Sequence, residues 1–588
     1  MKKRWKRTMA LLMAGGMLLS AAGCGESDST TATETAETAS ASGEAKDWAN
    51  ADALTWDVYD RYANYQGELT GWYAEAVRDR FNVSLNVIAP NVAGDGNALY
   101  QTRAAAGDMG DIVILANDQM KDCIDAGLIL DISEYVKDKE NLAKFQVGAD
   151  ALSEYFETDS TYAYPIHAST ESPTEPNLRE NEITNALYLR MDYYEELGCP
   201  EIKDENDLLD VFEQMQALHP TIEDGDKTYA FTLWSDWDGG EMCQAEMLCR
   251  ALYGTYNFNT AVMTNYDCTV AEPLNQKDGT YYKALKFFYE CNQRGLLDPD
   301  SATQNYDTAR SKYKDGNSLC LLYSWQRLYN TDANTSQGKG YAFVPVNNQK
   351  IYIDGQTPYG DGGCIAIGAN CKDPERAIAF LDWYASSEGM NYNAMNLEGL
   401  TYEKGEDGLN VLTEYGKDCY AADTEVPEEY GGGKINTNQN VMFAYLGLLT
   451  DTDPETGEMY YYDGWSSTIK NERSKLDDDW TEIFGTNNAV EYAEENDILQ
   501  VGVGYNYIFP VEDTEASNRR NQCDKIVEEY SWRLVYAADD AEFNSLWDEM
   551  CSQLTGYEYD QVIAADMDIL NEIKAARQET LAAVGESN

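Results

Sequence analysis

"DIVILA", Asp111–Ala116, is the stretch whose reading decides the fold. It is a short continuous apolar run behind one aspartate, the pattern of a strand covered on both faces. Its neighbours agree with that reading. "LTWDVYD" (54–60) sets Leu54, Trp56 and Val58 on one face by alternation, and "NVSLNVIAP" (82–90) does so with Val83, Leu85 and Val87. Between them, "GELTGWYAEAVRDRF" (67–81) carries Trp72, Ala76, Val77 and Phe81 at helical spacing. "QTRAAAGDMG" (101–110) reads as a helix end and turn, and "CIDAGLILDISEYV" (123–136) as a further helix and turn. Strands alternating with helices predict an α/β layer with a parallel sheet and helices on both faces.

Downstream the helical period dominates. "DENDLLDVFEQMQALHP" (204–220) aligns Leu208, Phe212 and Met215 and stops at Pro220. "YYKALKFFYECNQRGLL" (281–297) is a second such helix. In "GGCIAIGANCKDPERAIAFLDWYAS" (362–386) a strand leads to Asp373 as N-cap and Pro374 at the first helical position, after which Ile378, Leu381 and Tyr384 face inward. From Asn487 to Gly585 the chain again reads as helical.

The opening residues have another character. "MALLMAGGMLLSAAGCGESDST" (9–30) follows Lys2, Lys3, Arg4, Lys6 and Arg7. Its apolar core is well short of the roughly 20 residues that span a bilayer, so it reads as a secretion signal over residues 1–23. "AAGC" (21–24) resembles a bacterial lipobox, which implies a lipid on Cys24 and a membrane attachment there. The following "GESDSTTATETAETASASGEAKD" (25–47) has almost no apolar bulk and predicts a disordered tether over 24–53.

Composition narrows the partners. The 588 residues carry a formal net charge of −60, and loss of the basic signal makes the chain more negative still. Such a surface repels nucleic acid and anionic lipid headgroups. Length predicts at least two lobes. The 43 tyrosines offer flat apolar faces with polar tips, which suit wet binding surfaces. The 13 cysteines form no Cys-x-x-Cys pair and no zinc spacing, and read either as single buried thiols or as disulfide partners. With two histidines, His167 and His219, histidine-rich metal sites and a Ser-His-Asp triad are disfavoured. Phosphate-loop, dinucleotide and nucleophile-elbow motifs are absent, and "DTDPETGEMYYYD" (451–463) misses the calcium-loop pattern, so no cofactor is expected. A glycosidase pair of carboxylates needs no local motif and stays open at this point.

Four stretches together resemble one family: "AAGDMGDIVILANDQMKDCIDAGLILDISEYV" (105–136), "LYLRMDYYEELGCPEIKDENDLLDVFEQM" (187–215), "SKYKDGNSLCLLYSWQ" (311–326) and "GGCIAIGANCKDPERAIAFLDWYASSEG" (362–389). They are similar to extracellular solute-binding proteins of family 1, and most to the sugar-binding lipoproteins that serve ABC importers in Gram-positive bacteria. The resemblance implies a two-lobed, periplasmic-binding-protein-like α/β fold of type II, with ligand in the cleft between lobes. The matching division is lobe 1 at 54–167 plus 361–394, lobe 2 at 168–360 plus 395–572, and a C-terminal tail at 573–588.

A sugar presents C–H faces and a rim of hydroxyls, so its site needs aromatic faces beside paired hydrogen-bonding groups. Loops at strand ends supply candidates: Tyr59, Asp60 and Arg61 after the first strand, and Asn117 and Asp118 after "DIVILA". The turn "WSDWDGG" adds Trp234, Asp236 and Trp237. "YSWQ" carries Trp325 where family members often stack a sugar ring, and Tyr359, Asp361 and Glu398 stand near the expected lobe crossings. The implied function is a monomeric, lipid-anchored, non-catalytic receptor that delivers a neutral oligosaccharide to ABC permease subunits at the outer face of the cell membrane. A peptide or other organic-solute receptor, a surface glycoside hydrolase and a sensory partner protein are the alternatives.

Overall fold

A computed structural model describes residues 46–63, 65–93, 96–178, 182–421, 424–435, 446–471, 473–507, 509–510 and 512–585. The signal, Cys24 and most of the tether lie outside the described residues.

The folded body begins at Trp48, earlier than the expected boundary at 53. Asn82 Nδ2 donates to the Ala51 carbonyl and Arg376 Nη1 to that of Asp52, at 2.7 Å each. The Arg376 guanidinium lies 5.5 Å from the Trp48 ring centre. These contacts fix residues 48–52 against lobe 1.

Lobe 1 is built on a six-stranded sheet. Leu54–Asp60 pairs in parallel with Val83–Ile88 on one side and Ile112–Ala116 on the other. Gly363–Ile367 then runs antiparallel between Ile112–Ala116 and Ala163–Pro165. The parallel centre matches the alternating pattern. The antiparallel strand is inserted when the chain returns from the other lobe. Gly110, at φ 116°, permits the close approach of two strands: a Cβ there would meet the Asp57 carbonyl oxygen at 2.8 Å. Asp111 strengthens the joint by accepting the Asp57 N–H at 2.9 Å. On the faces, Trp72, Val77 and Phe81 of helix Trp72–Phe81 and Ile378, Leu381 and Tyr384 of helix Pro374–Tyr384 are buried, as their spacing predicts.

Lobe 2 has a smaller sheet, with Asn185–Arg190 between Cys320–Tyr323 and Tyr341–Phe343, all antiparallel. Helices Glu205–Leu218, Cys243–Leu252 and Thr280–Gln293 bury their apolar faces in the same core. A parallel pair, Ile351–Asp354 with Leu499–Gly502, leads toward the lobe junction. Thr514–Val535, Asp540–Gly556 and Tyr559–Ala583 close the lobe as helices.

Two expected boundaries are corrected. The described residues from Met395 to Ile435, and Leu446, do not belong to lobe 2: Met395, Leu397, Leu400, Cys419, Val426, Ile435 and Leu446 are buried in the lobe 1 core. Lobe 2 resumes with Leu476 and Trp480, whose Nε1 donates to the Phe343 carbonyl at 2.7 Å. Residues 573–583 are not a tail. Ile573, Arg577 and Thr580 are buried because helix Tyr559–Ala583 lays one face on lobe 2. The 12 described cysteines are all unpaired.

Candidate ligand-binding site

The two lobes meet around a cavity of about 690 Å³. Lobe 1 supplies Asn117 and Asp118, at the start of the helix that follows Ile112–Ala116, and Tyr155. The crossing segment adds Asp354, Tyr359 and Asp361, and lobe 2 adds Tyr505, Tyr507, Phe509 and Arg577. Aromatic faces and carboxylate acceptors thus line one space, a combination suited to a ligand with C–H faces and hydroxyl donors.

The groups around the junction come from three segments. His167 Nδ1 lies 2.5 Å from Asp361 Oδ2, which ties one crossing segment to the other. Asp60 closes the first strand beneath them. It is fully buried, its Oδ1 accepts the Tyr62 N–H at 2.8 Å, and burial pushes its carboxyl up to about 7 against the opposing pull of those hydrogen bonds and of His167. Arg61 turns outward and donates to Gln119 Oε1 at 2.7 Å.

A second interlobe cavity, of about 890 Å³, lies between Trp325 and Arg327 of lobe 2 and Val411, Lys417 and Tyr462 on the lobe 1 side. Trp325 is 39 % exposed and Trp237 40 %. Their rings are 5.8 Å apart, and Tyr323 and Tyr306 complete the cluster at 4.9 Å from Trp325 and 4.4 Å from Trp237. The Trp237 turn is held from below. Asp238 accepts the Cys243 N–H at 2.9 Å and the Trp532 indole N–H at 2.6 Å. Burial pushes Asp238 up to about 6. Glu241 rises to about 8, first by burial and then by the charges of Glu246 and Asp524.

The structure therefore sorts the expected residues. Asn117, Asp118, Tyr359 and Asp361 share the first cavity. Trp237 and Trp325 form the exposed aromatic cluster. Three others are corrected as direct contacts. Tyr59 is core, because the alternation that aims Trp56 and Val58 at one face sends Tyr59 into the other buried face. Asp60 is sealed beneath the junction, and Trp234, 1 % exposed, packs under Trp237 and Tyr306. Asp236 accepts the Tyr306 N–H at 3.0 Å and so positions that ring. Glu398 forms a backbone bridge with Tyr402 on the lobe 1 side and lines neither cavity.

Sequence reasoning missed Arg577, Tyr505 and Tyr507. For Arg577 a signal existed: it falls in register with Leu570, Ile573 and Thr580 on the buried stripe of its helix. Tyr505 and Tyr507 sit in irregular chain, where periodicity carries no information. Among the described residues no group of three His, Cys, Asp or Glu side chains converges as a metal site, and no helix is long and apolar enough to cross a membrane.

Comparison with known proteins agrees with this architecture. No curated relative matches the chain. A solute-binding protein from Bifidobacterium longum subsp. infantis superposes with a TM-score of 0.57 at 12% identity, over 89% of this chain and 98% of that one. An HMO-binding, ABC-transporter-associated solute-binding protein from B. longum infantis gives 0.54 at 13% identity, over 91% and 100%. The S. pneumoniae ABC-transporter substrate-binding protein FusA, in complex with kestose, gives 0.54 at 13%, over 89% and 100%. At these identities the likeness is one of fold. The sequence model of the bacterial extracellular solute-binding proteins matches residues 66–391. With its two lobes, its returning strand and its interlobe cavities, the chain belongs to the bacterial extracellular solute-binding protein family.

Proposed function

We propose that the protein captures a neutral oligosaccharide between its lobes and hands it to an ABC importer, held at the outer face of the membrane by a lipid on Cys24. The observation that carries the sugar assignment is the shared lining of the first cavity. Tyr155, Tyr359, Tyr505 and Tyr507 offer ring faces, and Asn117, Asp118, Asp354 and Asp361 offer acceptors. Sugar hydroxyls donate to such acceptors while the C–H faces of the ring lie on the aromatics. The net charge of −60 favours uncharged ligands over polyanions. The sugar-binding and transporter-associated solved structures of the same fold support the reading.

Each lobe contributes part of the lining, so ligand favours the closed arrangement by bridging the two. Calorimetry of residues 46–588 against a panel of neutral oligosaccharides, kestose among them, tests the proposal. Saturable binding of one glycan class is expected. Absence of binding across the panel, with binding of peptides instead, overturns the sugar assignment. Labelling of cells with a radioactive fatty acid, comparing the natural chain with Cys24→Ala, tests the anchor. The label is expected on the natural chain alone, and equal labelling of both overturns it.

A further inference from the structure

The second crossing segment turns as it passes the first cavity. Asp361 stands between Gly360 and Gly362, at φ 76° and 96°, and Tyr359, Gly360, Asp361 and Gly362 all line the cavity. The turn lies directly on the first crossing segment: a Cβ at residue 360 would meet the Ile166 carbonyl oxygen at 2.5 Å. The backbone bond between the two segments here, from the Asp361 N–H to that same carbonyl, is long at 3.3 Å.

His167, next to Ile166, is the fixed side of this contact. Its neighbour Ala168 donates to the Leu446 carbonyl at 2.8 Å, and Leu446 is buried in the lobe 1 core. His167 itself takes φ 53°, a left-handed backbone that a residue with a Cβ adopts only at a cost. Its Nδ1 lies 2.5 Å from Asp361 Oδ2, with the imidazole largely buried and the carboxylate half exposed. A strained residue that makes a specific side-chain contact at a hinge points to a role for that contact.

We propose that His167 is a proton-operated lock on the cavity wall: the protonated imidazole holds Asp361, and with it the turn Tyr359 to Gly362, in the place that completes the first cavity, and loss of the proton loosens the turn and weakens ligand capture. Imidazole is the side chain whose charge changes between pH 5 and 8. A neutral imidazole keeps at most an ordinary hydrogen bond to a carboxylate, and the charged pair is roughly twice as strong. The docked carboxylate favours the protonated form. The lock is therefore fully present below the ordinary imidazole range, near 6.5, and is lost as pH rises above it.

Among the described residues, the other titratable and charged groups at this corner are Asp60, Arg61 and Tyr62 at the end of the first strand, Cys364 behind Asp361, and Asp451, which accepts from Ser169 Oγ and the Thr170 N–H at 2.6 Å each. Arg61 is charged throughout the range. Burial pushes Tyr62 up to about 12 and the Cys364 thiol well up, so both stay neutral. Asp60 and Asp451, raised chiefly by burial to about 7 and about 6, titrate in the same window, and the test separates them from His167.

Hydrogen exchange of residues 46–588, read by mass spectrometry in the peptide covering 357–363 without ligand, tests the lock. The natural protein and His167→Asn are compared at pH 5.5 and again at pH 8.0. Asparagine tolerates the left-handed backbone and carries no titratable proton. At pH 5.5 the variant is expected to exchange about fivefold faster, the difference between a charged and a neutral hydrogen bond, and at pH 8.0 the two are expected to match. The chain has two histidines, so NMR with labelled histidine reads His167 directly once the variant has assigned it. Its signal is expected to titrate about one pH unit lower in Asp361→Asn. Calorimetry is expected to show the natural protein binding its neutral glycan about fivefold more tightly at pH 5.5 than at pH 8.0, with the difference lost in His167→Asn. Equal exchange at pH 5.5, an unchanged His167 titration in Asp361→Asn, or a pH dependence that persists in His167→Asn and so belongs to Asp60 or Asp451, overturns the lock. Should His167→Asn fail to fold, Asp361→Asn replaces it in the exchange arm. The calorimetric arm rests on the oligosaccharide reading above. Failure of the natural protein to bind any glycan overturns that reading and leaves the lock to the two arms that use no ligand.

Discussion

Trp325 is a tryptophan left 39 % exposed at the mouth of an interlobe cavity, beside Trp237 and Tyr323. Burying such rings against water would stabilise the free protein, so leaving them open is consistent with a surface kept for a ligand. Trp325→Ala is expected to weaken glycan binding by about tenfold, the upper range for one stacking contact, with little change in melting temperature. A large loss of stability instead would mark it as a core residue. Glu241 gives a second prediction. Its carboxyl is raised to about 8 and those of Asp238 and Asp524 to about 6, chiefly by burial. An acid whose folded pKa lies above its unfolded value is favoured in the neutral form. Stability is then greatest below the unfolded pKa, near 4, and falls as pH rises through the folded values. The melting temperature is expected to drop between pH 5 and pH 8, and Glu241→Gln is expected to flatten the upper part of that drop, between pH 7 and 8. An identical pH profile in the variant would contradict the assignment.

At the scale of elements, the last helix carries more than its position suggests. Leu570, Ile573, Arg577 and Thr580 face inward, and Arg577 gathers tyrosines from two other segments. Deleting residues 571–588 is expected to lower the melting temperature by more than about 5 °C, because it removes a buried apolar face and leaves two buried hydroxyls with one partner fewer. An unchanged transition would restore the reading of a dispensable tail. The same helix shows what the sequence discloses. Alternation in Leu54–Asp60 and Val83–Ile88, the apolar run at Ile112–Ala116, and the Asp373–Pro374 helix start are local signals, and the structure follows them. The antiparallel return of Gly363–Ile367 into the first sheet is long-range pairing that no local period encodes. The described residues between Met395 and Ile435 join lobe 1 through a short hairpin, the helix Glu414–Ala421 and loops, whose few apolar residues have no regular spacing along the segment. Of the expected site, strand-end loops led to Asn117 and Asp118, while Tyr59 shows the limit of that rule: one residue of register separates a loop contact from the core.

For the whole molecule, the proposed binding between lobes predicts coupling to closure. Small-angle X-ray scattering of residues 46–588 is expected to show a smaller radius of gyration at saturating glycan than without it. An unchanged radius would place the ligand on one lobe alone. The strongly acidic composition bears on a second whole-molecule property: it opposes adsorption of the body to anionic headgroups, so the proposed membrane attachment would rest on the lipid proposed at Cys24 rather than on the folded surface. The measurement that bears most directly on the central claim is tryptophan fluorescence of residues 46–588, titrated with neutral oligosaccharides and with peptides. The account predicts a saturable change with one class of neutral oligosaccharide and none with peptides. A flat response to every sugar together with a saturable response to peptides would contradict it.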